Sequence, residues 1–444
     1  MSTSSSKPAD ENTPLLTQVD PTPITEDQSI DPSSQQDDIE EEDQDKPLPK
    51  AQISLLCFTV CVAPISFFSI FPYINFMIER VGNVDKEDVG FYSGLIESLF
   101  SATQMCVMIF WGRASDRYGR KPTLVISLLG LTVATTLFGM SQTLWQMALF
   151  RCLGGAFAGT VLTVRAMISE NSTKHTQARA FSFFAFASNM GIFIGPLIGG
   201  ALERPADKFA STFGKLQFWH DYPYALPNFV VSALAISAAI TTMLFVKETL
   251  HIHGDKKKAA KSTMSTWELI NRPGVMRVLV VYNYVMLMAF TFTAVFPVAQ
   301  YTPVKLGGLG FTAELIAACT ALNGVSQAAW LLVVFPALHK RVVLASGVSM
   351  AFTSVQLALN DISPSHETLG TLNAVALAAQ SGIRSVAPAL ATSIYAIGVK
   401  YHILGGQLFW LCQLVLSFGL FGLLKLLPAK ARGDVKPKLF NGSA

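Results

Sequence analysis

Long apolar runs dominate the sequence, and they restrict the chain to folds that a lipid bilayer can contain. The first 246 residues hold six of them, at 51–78, 89–111, 123–142, 144–168, 180–202 and 225–246. Five more follow, near 276–300, 312–337, 342–359, 369–398 and 403–427. About 20 apolar residues cross the hydrocarbon core as an α-helix. With 51% hydrophobic and only 14% charged residues, the composition predicts an all-α polytopic membrane protein rather than a soluble enzyme.

Charge is divided unevenly along the chain. Residues 1–50 hold thirteen Asp and Glu against three Lys, and they contain no aromatic residue. Such a segment cannot bury a core, so we expect a disordered acidic tail in the cytosol. Within it, Glu11, Leu15 and Leu16 have the spacing of a dileucine signal, which makes a sorting adaptor a candidate partner. We therefore expect a multi-pass protein of the plasma membrane or the vacuolar membrane.

A polar segment at 247–275 divides the apolar runs into two groups. Its lysines suit a cytosolic linker between an N-terminal six-helix half, 51–246, and a C-terminal half, 276–428, with a cytosolic tail at 429–444. A basic patch that binds lipid is the alternative interpretation of the same lysines. Nothing in the charge pattern indicates a nucleic-acid partner.

The segment between the second and third runs is short and strongly charged. Positive residues hold such a segment on the cytosolic side, and this alone describes an ordinary stop-transfer cluster. The G-x-x-x-D-R-x-G-R-K spacing, however, resembles the loop between helices 2 and 3 of the major facilitator superfamily. It is formed by Gly112, Asp116, Arg117, Gly119, Arg120 and Lys121. The resemblance implies two helical bundles that rock about a central site, a gating role for this loop, a small-molecule substrate and a monomer without a cofactor.

Two further patterns resemble motifs of that superfamily. The fifth run carries Gly191, Gly195, Pro196, Gly199 and Gly200, where small residues four apart let helices approach closely. This pattern resembles the helix-5 motif of proton-exchanging exporters, although ordinary small-residue packing also explains it. Arg151, with the glycines that follow it, resembles the helix-4 motif whose arginine is implicated in proton coupling. The alternative is an arginine that snorkels to the membrane interface.

A lone carboxylate marks the interior of the second run. Glu97 is expected to lie at bilayer depth, where an ionisable residue is costly and usually functional, so we predict that it carries a proton. A structural ion pair with a neighbouring helix is the alternative. Polar residues in other runs could line a substrate cavity, and these are Gln104, Asn283, Asn323, Gln327 and Arg384.

The second half carries a more specific resemblance. Ser363, Pro364, Asn373, Arg384 and Pro388 stand at spacings similar to those of the zinc-induced-facilitator-like branch of plants and fungi. That branch implies proton-coupled export of small organic or metal-chelating molecules. Its plant members have a Cys-rich loop that this sequence lacks, and the six cysteines form no C-x-x-C pair, so no metal site is expected. The sequence also carries no catalytic motif of an enzyme.

The second half is one apolar run short of six. Basic residues precede the run 342–359, and the loop that follows resembles a cytosolic loop of the superfamily. One span cannot begin and end on the same side, so we expect about eleven spans, with one helix of the second half missing. A re-entrant 342–359 segment is the alternative. An inactive isoform or a non-transporting membrane sensor is the alternative function.

Overall fold

The computed structural model describes residues 48–173, 176–250, 266–272, 274–329 and 366–425. Throughout these residues the chain is helical, with no β-strand. The first half contains α1 (Lys50–Phe68), α2 (Ile74–Gly82), α3 (Val89–Tyr118), α4 (Arg120–Gly139), α5 (Leu144–Ala156), α6 (Thr160–Glu170), α7 (Gln177–Leu202) and α8 (Ala225–Phe245). The second half contains α9 (Val275–Tyr301), α10 (Ala313–Ala329), α11 (His366–Lys400) and α12 (Leu408–Leu424). Short helical turns occupy Pro205–Lys208, Gln217–Asp221 and Thr266–Ile270.

Among the described residues, eight helices are long and apolar enough to cross a membrane. Two shorter apolar helices lie at Ala313–Ser326 and Leu408–Leu424. The all-helical fold predicted from the apolar runs is therefore confirmed. The run 342–359, on which the expectation of eleven spans depends, lies outside the described residues, as do the dileucine residues of the N-terminal tail.

Two of the predicted spans are interrupted. The run 51–78 forms α1 and α2 with a turn over residues 69–73 between them, where Pro72 has no N–H to offer a continuing helix. The run 144–168 forms α5 and α6, with the break at residues 157–159, next to Gly154, Gly155 and Gly159. Glycine loses more backbone freedom in a helix than other residues do, which weakens the helix at that point.

The charged segment between the second and third runs is helical, contrary to the prediction of a loop over 112–122. Helix α3 continues to Tyr118, and α4 begins at Arg120. Only Gly119 reverses the chain, with φ at 108°, in a region that favours glycine. Arg120, the first residue of α4, bonds back across this reversal to Asp116 of α3 and so joins the ends of the two helices.

Among the described residues, the most extensive contacts between the halves are made by two pairs of helices. Helix α3 packs along α11, and α7 packs along α10. Within the first half, α1 packs on α7 and α8, and α4 packs on α8. We call the end of the bundle at Gly119 the motif end, and the opposite end, which carries the loop 83–88, the distal end. The space enclosed by α1, α3, α4 and α5 beside α11 contains the candidate site.

Candidate functional site: a buried charged cavity

A cavity of about 150 Å³ lies inside the first half, and one side chain of the second half reaches its wall. That side chain is Arg384 of α11. Polar groups of the wall come from Ser66, Gln104, Thr135, Arg151 and Asn228, while much of the remaining wall is aromatic: Phe67, Phe68, Phe100, Phe138 and Phe150. An apolar chamber with a few converging polar groups is the usual form of a site for small organic molecules.

Arg151 lies on α5 and is buried, with only 6% of its surface exposed. Its guanidinium carbon lies 4.8 Å from the ring centre of Phe100, 5.2 Å from that of Phe67 and 5.7 Å from that of Phe138. Its Nε and Nη2 have no hydrogen-bond partner among the described residues. The structure thus places Arg151 in the cavity wall, where ring faces surround its guanidinium group and two of its donor atoms have no partner among the described residues.

Arg384 brings a second guanidinium group to the same aromatic residues. Its guanidinium carbon lies 4.2 Å from the ring centre of Phe67 on α1 and 5.7 Å from that of Phe290 on α9. Arg384 therefore stacks between a ring of the first half and a ring of its own half. Any motion of α11 relative to α1 would change this contact.

Glu97 lies on α3 with 7% of its surface exposed. It precedes Phe100 by three residues and Gln104 by seven, so it shares the face of α3 that borders the cavity. It interacts electrostatically with Arg384 and with Arg151. One carboxylate and two guanidinium groups from three helices therefore form a single charged cluster, in which the two arginines line the cavity and Glu97 lies beside its wall.

The sequence predicted the three charged residues but not the aromatic residues that contact them. Phe67, Phe100 and Phe138 come from three helices, and no spacing along the chain relates them. Tyr73 and Asn228 form another pair at this site, since Asn228 Nδ2 donates to the Tyr73 hydroxyl at 2.8 Å. The available signal was that a buried arginine needs partners, and aromatic faces can serve.

The other predicted cavity residues are scattered. Gln104 lines the cavity, and its side-chain amide donates to the carbonyl of Ala158. Asn283 lines a different, more open groove between α9 and α11. Asn323 is half-buried on α10 and is absent from the described cavity wall, and the side chain of Gln327 lies outside the described part of the chain. No group of three or more metal-ligating side chains occurs in the described residues.

The glycines of α7 lie against the backbone of α1. A Cβ atom at Gly191 would stand 2.5 Å from the carbonyl oxygen of Cys61, and one at Gly199 would stand 1.8 Å from that of Ser69. At Gly195 the same atom would meet Ile65 O at 2.9 Å. Gly200 turns to the second half instead, where Ala317 of α10 would lie 2.3 Å away, and Pro196 lies within α7. Hence α7 contacts both halves through positions that admit no side chain.

At the motif end, Arg120 is the centre of an ion-pair network inside the first half. It bonds Asp116 and Glu170, each at 2.8 Å. Thr249, which follows α8, donates its hydroxyl to Glu170 at 2.6 Å. The C-terminal ends of α3 and α6 are thereby joined through one guanidinium group, and the segment after α8 is joined to this network through Glu170. Glu170 and Thr249 were not predicted for this network, because they are distant in sequence.

A carboxylate also caps the start of α4. Glu248 accepts hydrogen bonds from the backbone N–H groups of Arg120 at 2.9 Å and Lys121 at 3.0 Å. It lies so close to Gly119 that a Cβ atom there would stand 2.7 Å from its Oε2. Glycine at 119 is therefore required both by the backbone conformation and by the approach of this carboxylate.

Polar contacts between the halves cluster at the distal end. Lys400 Nζ bonds the Asp88 carboxylate at 2.9 Å, and Lys208 Nζ bonds Glu314 at 2.6 Å. The Tyr301 hydroxyl donates to the Glu79 carboxylate. Helices α3 and α11 are also in close contact there, since a Cβ atom at Gly94 would stand 1.8 Å from the Thr392 hydroxyl. The halves are thus held together at the distal end.

Comparison with known proteins identifies this architecture. The family model described as Major Facilitator Superfamily matches residues 56–342. The chain belongs to the Major Facilitator Superfamily. It is similar to efflux pump azaK of Aspergillus niger, with 43% identity over 418 residues, which cover 83% of this chain and 87% of that protein.

Two more distant similarities agree with this assignment to the Major Facilitator Superfamily. Protein ZINC INDUCED FACILITATOR 1 of Arabidopsis thaliana is 28% identical over 322 residues, covering 66% of this chain and 65% of that protein. A crystal structure of a D-xylose-proton symporter matches with a TM-score of 0.64 at 15% identity, covering 88% of this chain and all of that one. The resemblance to the zinc-induced-facilitator-like branch, predicted from the motifs, is confirmed, and the symporter likeness shows the fold.

Membership of the Major Facilitator Superfamily settles the broad class. The protein is a multi-pass membrane protein and a secondary transporter of small molecules, not an enzyme.

At the motif end, the hydrogen bonds of Glu248 predict that the start of α4 is anchored in a pH-dependent way. Partial burial alone would raise the pKa of this carboxyl, but the N–H groups of Leu250, Lys121, Arg120 and Thr249 outweigh burial and lower the pKa below its ordinary value near 4.5. Because the pKa is depressed in the folded state, the stabilisation is fully present above the ordinary value. It is lost as the pH falls through the depressed one.

We expect backbone amides 119–124 to exchange hydrogen slowly at neutral pH in the wild-type protein and faster in Glu248→Gln. Gln fills the same space but accepts weaker hydrogen bonds. Hydrogen-exchange mass spectrometry in detergent measures the difference, and Glu268→Gln, at an exposed site, is the control. Equal exchange in Glu248→Gln and wild type would show that the carboxylate does not anchor α4.

Proposed function

We propose that the protein is a proton-coupled secondary active transporter that exports small organic molecules by alternating access. The observation that carries the proposal is the buried charged cluster of Arg151 and Arg384, which line the cavity, and Glu97, which lies one turn from the cavity wall on α3. Ionisable side chains at bilayer depth are costly and are retained chiefly for function. The wall of aromatic rings suits the apolar part of an organic substrate.

Glu97 is the group of this cluster that can gain and lose a proton under physiological conditions, because arginine stays charged. When it is ionised, it offsets part of the charge of Arg384, which belongs to the other half. When it is protonated, that attraction across the halves is lost. Proton binding on α3 would therefore alter the energy of the contact between α3 and α11, as coupling requires.

Export is supported by two independent features. The relative with the highest identity given above is an efflux pump. The glycines of α7 allow that helix to lie against α1 and α10 at backbone distance, the close packing implied by the exporter motif. We place the protein in the plasma membrane or the vacuolar membrane, with Glu11, Leu15 and Leu16 as the contact for a sorting adaptor.

Proteoliposomes test the proposed function directly. Purified protein would be reconstituted, and a panel of labelled organic compounds would be screened for movement driven by an imposed pH gradient. We expect at least one compound to accumulate against its gradient and to stop accumulating when a protonophore is added. Movement that is indifferent to both the pH gradient and the protonophore would refute proton coupling.

Alternating access predicts that the distal contacts open during each cycle. Replacing Asp88 and Lys400 by cysteine puts two thiols where an ion pair now joins the halves. We expect cross-linking of Asp88→Cys/Lys400→Cys with a reducible bis-methanethiosulfonate, whose length replaces that of the lysine side chain, to reduce transport by about tenfold or more, because the distal end can no longer open. Reduction should restore transport, and each single cysteine variant should be insensitive to the reagent. A cross-linked protein that transports at the wild-type rate would contradict a distal gate.

The motif end should be needed for switching rather than for insertion. Asp116→Asn keeps the side-chain shape but removes the charge that pairs with Arg120 at 2.8 Å. We expect the transport rate to fall by about tenfold or more, while the amount of protein in the membrane stays normal. Asp221→Asn, on an exposed distal turn, is the matched control. Wild-type transport in Asp116→Asn would remove the gating role of this loop.

A further inference from the structure

The described cavity wall has two positively charged side chains and no acidic one. Arg151 and Arg384 both line it, from α5 and α11. Two donor atoms of Arg151 lack a hydrogen-bond partner in the part of the chain that the structure describes. A buried guanidinium nitrogen without a partner is unfavourable unless a ligand or water supplies an acceptor. The cavity is therefore prepared for a planar, two-oxygen acceptor, which is a carboxylate or a similar group.

The neighbouring carboxylate gives the site a second, opposite recognition element. Glu97 lies one turn before Phe100 on α3, on the helix face that brings Phe100 and Gln104 to the cavity wall, and its own side chain is buried next to that wall rather than being part of it. In the described part of the chain, the charged groups that act on it are Arg384 of α11 and Arg151 of α5. Tyr73 and Cys152 act in turn on Arg151. A ligand carboxylate bound between the arginines would draw them from Glu97 and leave it able to receive a cationic group.

Exchange of substrate for a proton constrains the chemistry of the ligand group that binds Glu97. In an exchanger, the substrate and the proton must not be bound at the same time. A purely anionic ligand fails this condition, because protonation of Glu97 leaves more uncompensated positive charge and would strengthen its binding. A ligand with an ammonium group satisfies it, since the ammonium and the proton compete for the same carboxylate.

We propose that the substrate class is a small organic zwitterion with an aromatic or apolar body. Its carboxylate binds Arg151 and Arg384, its ammonium group replaces the proton on Glu97, and its body lies among the phenylalanines of the cavity. Phe67 and Phe100 supply two of those ring faces. This assignment rests on the proposed proton-coupled export, because the residue proposed there as the proton carrier, Glu97, is also the residue that binds the ammonium group.

Three compounds with one phenyl body separate the charges. L-phenylalanine carries both groups, 3-phenylpropanoate lacks the ammonium group, and 2-phenylethylammonium lacks the carboxylate. Binding would be measured by isothermal titration calorimetry on the full chain in phosphatidylcholine nanodiscs. We expect the dissociation constant of L-phenylalanine to be lower than that of either fragment by about tenfold or more, since each charged contact adds at least that factor. The cationic fragment should bind weakest, because it lacks the contact with two arginines.

The variants assign each contact. In Arg384→Gln, L-phenylalanine should lose most of its advantage over 2-phenylethylammonium, and in Glu97→Gln it should lose its advantage over 3-phenylpropanoate. Arg272→Gln, on the exposed turn before α9, should leave all three affinities unchanged. Cooperative thermal unfolding of each variant verifies that it is folded. The ranking in the wild-type protein stands as a test even where a variant fails to fold.

The pH dependence gives a second readout. Release of the Glu97 proton by L-phenylalanine should tighten its binding by up to about tenfold per pH unit as the pH rises through the acidic range. The binding of 3-phenylpropanoate should weaken over the same range. Equal affinities for the three compounds, a preference for the cation, undetectable binding of L-phenylalanine, or the same pH trend for both carboxylates would overturn the proposal.

These measurements use no pH gradient, so they fail independently of the proposed function. A protein that binds the zwitterion as described but shows no proton-driven transport in proteoliposomes would refute the proton coupling and leave the binding assignment. Proton-driven transport without the expected ranking would refute the zwitterion and leave the coupling.

Discussion

Transport driven by a pH gradient is expected to disappear in Glu97→Gln, while exchange down a substrate gradient continues. Glutamine fills nearly the same volume on α3 but cannot take up or release a proton. It also removes the charge that interacts with Arg384 across the interface between the halves. We expect at least about a hundredfold loss of uphill transport, since coupling requires a titrating group at the switch. Proteoliposomes with and without a pH gradient measure the two modes separately.

The control for this prediction is Glu268→Gln, which makes the same chemical change on an exposed turn away from the cavity. It should transport like the wild-type protein in both modes. A Glu97→Gln protein that still concentrates its substrate when the pH gradient is imposed would show that another group carries the proton. Glu170 would be a poor replacement, because it is already held by Arg120 and Thr249 at the motif end.

The sequence predicted the helices well because lipid leaves the backbone few options. Apolar runs must satisfy their own hydrogen bonds in the bilayer, so the length and hydropathy of a run predict a helix with little ambiguity. The same physics made the isolated charges informative. Glu97 and Arg151 were selected because a charge inside an apolar run is costly. The structure places Arg151 and Arg384 in the wall of one cavity and Glu97 one helical turn from that wall.

The sequence could not show which residues would meet. The faces of Phe67, Phe100 and Phe138 converge on Arg151 only after three helices have packed. Hydropathy also does not show where a helix breaks inside a continuous apolar run. It likewise gave no sign that α3 would continue through the charged residues as far as Tyr118, directly before Gly119. Asn283 illustrates the converse error, since a polar residue in an apolar run need not face the central cavity.

The second large effect is expected from Gly195→Leu in α7. A Cβ atom there would stand 2.9 Å from the carbonyl oxygen of Ile65 and 3.1 Å from the amide nitrogen of Ser69, so a leucine forces α7 away from α1. Overpacking of this kind costs about 1–3 kcal/mol, which the membrane can tolerate without expelling the helix. The displaced helix, α7, also contacts α10 of the other half, so the substitution also disturbs the contact between the halves.

We therefore expect Gly195→Leu to reach the membrane in normal amount but to transport about tenfold more slowly or to leak protons, with Gly195→Ala intermediate. Gly422→Leu, at a position of α12 with no heavy atom within 4 Å of a built Cβ, is the matched control and should behave like wild type. Proton leak is read from a pH-sensitive dye inside the vesicles, in the absence of substrate. If Gly195→Leu remains tightly coupled and fully active, close approach of α7 to α1 is not what transport requires, and the glycines serve packing alone.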